Sequence, residues 1–308
     1  MKNHKGQIRA VAFSPDGHWL ISGSDDGTFE VWDTRTHRKV MGPWVGHVNA
    51  VRAVQYSLDG RLIASGGDDN FLRIWTPRFG TCVATIEHPK PINFLSFSPD
   101  RNHVATACDD WLVRVYDLET HKLVSTLDGH LGRVRCVQYS PCGAFIASVS
   151  TDHTIRVWDA LTGALVTEPL RGHRSFVSSV SFSCDSQHLI SSSYDQSIRI
   201  WNVMSGVCVM GPMYGHNETV NAVVYEIGCV QFSRDGSKFL SASNDGTVRV
   251  WKVGTWEFLH SFDHAGTGVN ATAFSPNGSS VLTGDVDGDL RLWDANAGQM
   301  IRLSKASF

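Results

Sequence analysis

Seven histidines recur almost evenly along this chain, and that spacing constrains the fold more than any other feature. His4, His47, His88, His130, His173, His216 and His264 are separated by 43, 41, 42, 43, 43 and 48 residues. Each is followed by an aromatic residue: Trp32, Trp75, Tyr116, Trp158, Trp201, Trp251 and Trp293. The gap from histidine to aromatic is 28 residues in five repeats, 35 in the sixth and 29 in the last. A chain of 308 residues would ordinarily divide into about two domains. A period of this length filling the whole chain instead means one supersecondary unit repeated seven times. The units run at about 1–43, 44–84, 85–126, 127–169, 170–212, 213–260 and 261–308.

Every unit has the same internal order. After the histidine comes an alternating apolar stretch, such as Ile8, Val11 and Phe13, or Val134, Val137 and Tyr139. A turn follows, as in Ser14-Pro15-Asp16-Gly17, with proline presetting φ at its second position. A second stretch (Leu20-Ile21-Ser22), a third (Ile155-Arg156-Val157-Trp158) and a more variable fourth (Lys39-Val40-Met41) complete the unit. No segment keeps a helical period, so the chain is all-β. Two further columns are invariant. Six residues before each aromatic stands Asp26, Asp69, Asp110, Asp152, Asp195, Asp245 or Asp287. Ten before it stands Ser22, Ser65, Thr106, Ser148, Ser191, Ser241 or Thr283.

The Gly-His pairs (Gly46-His47, Gly129-His130, Gly172-His173, Gly215-His216) and the Trp-Asp pairs (Trp32-Asp33, Trp158-Asp159, Trp293-Asp294) resemble the WD40 repeat. The resemblance implies a seven-bladed β-propeller with four antiparallel strands per blade around a channel. It also implies a hydrogen-bonded tetrad of Asp, His, Ser/Thr and Trp in each blade, complete in six blades and interrupted at Tyr116 in the third. A Ser-His-Asp set invites a catalytic reading, but a constellation repeated seven times in register is a structural device. Seven-bladed rings of this kind often borrow an outer strand from the N-terminus. Only Met1-Lys2-Asn3 precede the first histidine here, so the last blade is expected to use Gln299–Ser304 instead and to close without strand exchange.

The sixth unit carries seven extra residues, placed near 222–228, where they would interrupt the innermost strand. A bulge or rim loop, a partner-binding protrusion and a misassigned intron are the alternatives.

Closed rings leave function to the loops and the channel mouth. In the resembled family one face is favoured. It carries the residues flanking the first apolar position of each inner strand and the residue before each tetrad aspartate. Here these include Arg9, Arg52, Asn93, Arg133, Arg135, Phe176, Asn221 and Asn270 from the first set, and Asp25, Asp68, Asp109, Tyr194 and Asn244 from the second. Arginines and aspartates should interleave over blades one to four, with an aromatic pair in blade five; both Arg and aromatics are enriched at interface hot spots. Trp44, Trp111 and Trp256 are read as packing residues.

The net charge of −3 disfavours a nucleic-acid partner. Seven scattered cysteines form no C-x-x-C pair, so zinc has no support and free thiols in a reducing compartment are expected. The polar N-terminus is no signal peptide, and no apolar run approaches a membrane span. No Gly-rich phosphate loop or H-E-x-x-H appears, and no cofactor is expected. The resulting expectation is a non-catalytic scaffold for protein or peptide, monomeric by itself, cytoplasmic or nuclear. Two other resemblances are carried. Residues Leu20–Arg35 resemble the box, ending in Trp-Asp-x-Arg, by which some substrate receptors dock a cullin-type ubiquitin ligase. Val40-Met41-Gly42-Pro43 and Val209-Met210-Gly211-Pro212 resemble sensor arrays of fungal NOD-like receptors.

Overall fold

In the computed structural model the described residues are 4–214, 216 and 227–301, with only the backbone described at 227–229. They form seven antiparallel sheets in chain order, with no helix among them. The first blade runs Ile8–Phe13, Trp19–Ser24, Thr28–Asp33 and Lys39–Val45 from the channel outward. The later inner strands are Val51–Tyr56, Ile92–Phe97, Val134–Tyr139, Val177–Phe182, Ile227–Phe232 and Val269–Phe274. In the fourth blade the outer segment pairs through the bridges Ile155↔Leu170 and Trp158↔Leu165. In the seventh, Met300 bridges Trp293 and the Ile301 N–H donates to the Leu292 carbonyl. Residues 1–3 and 302–308, on which the expected closure turns, lie outside the described residues.

The core is divided into seven layers, one between each pair of neighbouring blades. The second strand of every blade is covered on both sides, so it takes small residues, as in Ile63-Ala64-Ser65-Gly66-Gly67. A Cβ on Gly66 would lie 2.7 Å from Ile92 of the next blade, and one on Gly284 would lie 2.4 Å from Ile8. The same close approach therefore seals the seventh blade against the first.

Along the channel a second device ties blades together. Gln55, Ser96, Gln138, Ser181 and Gln231 occupy one register position on successive inner strands. Each accepts a hydrogen bond from the backbone N–H of the next blade: Phe97 (3.0 Å), Tyr139 (3.1 Å), Phe182 (2.8 Å), Phe232 (3.2 Å) and Phe274 (3.0 Å). Ala273 and Ala12 hold that position in blades seven and one and have no acceptor to offer. Gln138→Ala is expected to lower stability by about 1 kcal/mol, read as an earlier urea midpoint. An unchanged midpoint would mean that channel water replaces the amide.

The sixth blade corrects the expected position of the insertion. Its inner strand is uninterrupted, and Ile227 pairs with Ser243 as Ile8 pairs with Ser24. Eleven residues separate His216 from Ile227, against four from His4 to Ile8. The seven extra residues thus precede the inner strand. Asn221 lies outside the described residues, and the register gives its assigned position to Gly228.

Candidate protein-interaction face

Each inner strand carries a β-bulge at its second residue, where the pairing skips one position. Ile8 and Ala10 oppose consecutive residues Ser24 and Gly23, and the same shift recurs in all seven blades. A bulged residue is left out of the ladder and its side chain is re-aimed. Those residues are Arg9, Arg52, Asn93, Arg135, Ser178, Gly228 and Asn270, so the bulge directs the candidate residues at the channel mouth. In six blades the residue just before the inner strand accepts a backbone hydrogen bond from the pre-aspartate position of the same blade. Asp25, Asp68, Asp109, Thr151, Tyr194 and Val286 donate to Gln7, Ala50, Pro91, Arg133, Phe176 and Gly268, at 2.9–3.0 Å.

A polar chain runs from Asp68 to Arg133, beside a separate Arg9–Asp25 pair. Arg9 grips Asp25 in a fork at 2.7 and 2.8 Å. Arg52 pairs with Asp68 at 2.5 Å and donates to the Asn93 amide oxygen at 2.8 Å. Asn93 in turn donates to Asp109 (2.7 Å) and to the Val134 carbonyl (2.8 Å), and Arg133 lies 3.6 Å from Asp109. The hydrogen bond to Asp25, then the charges on Asp25 and Asp68, raise the Arg9 pKa against its burial. Asn270 repeats the role of Asn93, donating to the Ile8 carbonyl at 3.2 Å. These two asparagines are staples between blades. Asn244 lies close to Gly268, and Arg135 is half-buried.

Beside this chain lies apolar surface. Phe176 is 42% exposed and packs on Tyr194 (centroids 5.8 Å apart) and on His153 of the neighbouring blade (5.7 Å). Val48, Leu131 and Trp111 are exposed on loops of the same face in blades two, four and three. Trp111 corrects its expected packing role, being 49% exposed on a turn with φ of 75°. Trp44 and Trp256 do pack, against Phe29 and Phe239. Sequence reasoning missed His153, Leu131 and Val48. Their signal was position, since each adjoins a tetrad residue. Arg35 follows a third strand, and alternation of the loops puts it on the opposite face.

The tetrads brace this face from below. In blade four the His130 Nδ1–H donates to Asp152 (2.9 Å), which fixes Nε2 as the acceptor of the Ser148 hydroxyl (2.8 Å). The Trp158 Nε1–H donates to Ser148 (2.8 Å). His4–Ser22–Asp26–Trp32, His47–Ser65–Asp69–Trp75, His173–Ser191–Asp195–Trp201 and His216–Ser241–Asp245–Trp251 repeat it. The serines are fully buried beneath the indoles, so no carbonyl can reach them and the arrangement is a strut.

Five blades are complete, not six. In blade three His88 keeps only Thr106 (3.0 Å). Asp110 is forked by Arg114, and Tyr116 packs on His88 at a tilt without a hydrogen bond to Thr106. In blade seven His264 turns to Asp285 (3.3 Å) instead of Asp287, which is exposed, and only Trp293–Thr283 (2.9 Å) remains of the rest. Two changes account for this. One extra residue separates His264 from its inner strand, and Asp285 replaces the serine, glycine or cysteine of other blades.

A family model described as WD domain, G-beta repeat, matches seven times, at residues 1–33, 38–76, 80–117, 121–159, 164–202, 207–252 and 256–294. The chain belongs to the WD40-repeat family. Among curated relatives of this WD40 propeller are a U3 small nucleolar RNA-associated protein 21 homolog of Schizosaccharomyces pombe, a transcription initiation factor TFIID subunit 5 of Caenorhabditis elegans and a periodic tryptophan protein 2 homolog of Mus musculus. The first is 33% identical over 28% of this chain and 10% of its own length. The second is 27% identical over 54% and 26%, and the third 37% over 51% and 17%. The matches thus span about a quarter or less of these relatives. Among the described residues no helix is long and apolar enough to cross a membrane, and no group of three or more His, Cys, Asp or Glu could hold a metal.

Proposed function

We propose that this WD40 propeller is a non-catalytic platform that binds a protein or peptide across the face carrying Arg52, Trp111, Leu131, Phe176 and Tyr194. The observation that carries this reading is the pairing of half-exposed aromatics with a rigid, internally neutralised Arg–Asp–Asn chain at the channel mouth. Aromatics and arginine held by other groups lose little side-chain freedom on binding. Arg9, Arg52 and Arg133 already face aspartates, so they present little free positive field to a phosphate backbone. A cytoplasmic or nuclear setting belongs to the same proposal, supported by relatives whose names attach them to a nucleolar RNA and to TFIID.

The test compares wild type with a triple variant, Trp111→Asn, Leu131→Ser and Phe176→Ser. Asn70 holds the Trp111 position in blade two with φ of 69°, so asparagine suits the turn. Affinity capture is expected to lose the wild type's main protein partner from the variant, with thermal melts matched. A partner list unchanged by the variant would move the interaction off this face.

A further inference from the structure

Blade one packs closely on both neighbours but lacks one of the ties found elsewhere in the ring. The channel belt has no acceptor on either side of it, because Ala273 and Ala12 stand where other blades carry glutamine or serine. Phe13 ends its inner strand partly exposed, whereas Tyr56, Phe97, Tyr139, Phe182, Phe232 and Phe274 at the same position are all buried. Two clefts on the far face flank this blade, at about 360 Å³ toward blade seven and about 430 Å³ toward blade two.

The larger cleft has a definite chemistry. Its walls are Trp19, Met41, Tyr56 and Pro15, and its rim carries the carboxylates of Asp16 and Asp59. One cation, Arg78, also lines it, lying over the neighbouring Phe79 at 5.4 Å. One oxygen of each carboxylate is held within its turn, by the Ser14 hydroxyl on Asp16 (2.5 Å) and the Ser57 hydroxyl on Asp59 (2.7 Å), and the other oxygen has only an exposed partner. His18 sits 3.2 Å from Asp16 and Arg61 3.7 Å from Asp59, and both side chains are largely in solvent. Exposed pairs of this kind contribute little and are readily exchanged. Trp19 is peculiar to this blade, since Leu62, His103, Phe145, His188, Lys238 and Ser280 occupy its position elsewhere.

We propose that the cleft between blades one and two accepts an arginine side chain from a protein partner, separately from the opposite face discussed above. The planar guanidinium stacks on an aromatic wall and forks to carboxylates, while its aliphatic stem packs on Met41 and Pro15. The volume falls within the range of sites that enclose a small ligand.

The protein has six methionines, so methyl-labelled methionine gives a spectrum in which Met41 can be assigned through Met41→Leu. Titration with Ac-Gly-Arg-Gly-NH2 is expected to shift the Met41 methyl saturably. The citrulline analogue, equal in shape but uncharged, should not. Asp16→Asn with Asp59→Asn should weaken binding at least about five-fold through loss of charge. That pair keeps the turns intact, because Asn277 accepts the Ser275 hydroxyl (2.7 Å) and the Ser279 N–H (3.1 Å) at the same place in blade seven. The Trp111, Leu131 and Phe176 variant should leave the Met41 shift unchanged, so failure here is separable from failure of the other face. No shift at Met41, or an equal shift with citrulline, overturns the proposal.

Discussion

Ser148→Ala is expected to destabilise the propeller by about 2–4 kcal/mol, and the isosteric Thr283→Val by about half as much. The two residues occupy equivalent positions, both fully buried. Removing the Ser148 hydroxyl strands two groups, His130 Nε2 and Trp158 Nε1, in a site that has no exposure to water. Removing the Thr283 hydroxyl strands Trp293 Nε1 and loses a longer donation to the Arg291 carbonyl (3.3 Å), but strands no histidine, since His264 has already left that network for Asp285. Alanine at 148 leaves only a hydroxyl-sized gap and valine at 283 keeps the shape of threonine, so the number of unpaired polar groups sets the difference. Urea denaturation at constant slope reads it directly. Equal losses would show that the networks contribute little beyond packing.

The same contrast shows what the sequence could and could not disclose. Spacing alone located every blade, because the histidine, serine or threonine, aspartate and aromatic columns repeat in register. Which columns close into a network depends on distances of a few tenths of an ångström, and these were legible only in part. All four blades with Gly before His are complete. A Cβ on Gly46 would lie 2.7 Å from the Trp75 ring, so the missing side chain makes room for the indole. Glu87 and Asp263 precede the two histidines whose tetrads fail. That signal, with the extra residue after His264, was available and marks the two exceptions.

The sixth blade failed for a different reason. Residues 220–225 read Val-Asn-Ala-Val-Val-Tyr, close to Val51-Arg-Ala-Val-Gln-Tyr of blade two. Two stretches in tandem thus compete for one inner strand on pattern alone. Distance to the following turn decides between them. Ile227–Phe232 leads at once into Ser233, whose hydroxyl donates to Asp235 as Ser14 does to Asp16, and it places Gln231 to accept from Phe274. The candidate face was legible as a set of positions, but the bulge that aims them and the role of Trp111 were not. The left-handed turn at Trp111 leaves its indole half in solvent, which its hydrophobicity alone does not announce.

The pH dependence of stability should reveal the incomplete third blade. Burial, then the nearby Arg114 charge, push the His88 pKa down to about 4, against about 6.5 for an unfolded histidine. Between those values the unfolded chain binds a proton that the folded chain refuses. Stability due to this group is therefore intact above pH 6.5 and lost as pH falls toward 4, by about 3 kcal/mol in all. The aspartates act in a lower window. Burial pushes the Asp245 carboxyl up, but His216 and Thr247 overcome this and hold it near 2, below its ordinary value of 3.8. Its contribution is present above 3.8 and disappears only below that. His88→Gln keeps a polar group toward Thr106 and cannot take up the proton. Measured by urea at pH 7 and pH 4.5, the variant should lose markedly less stability than wild type over this interval. It should then follow wild type's further decline below pH 3.8. Parallel curves throughout would mean that His88 is protonated in the folded state, with Asp110 shared between Arg114 and the imidazolium.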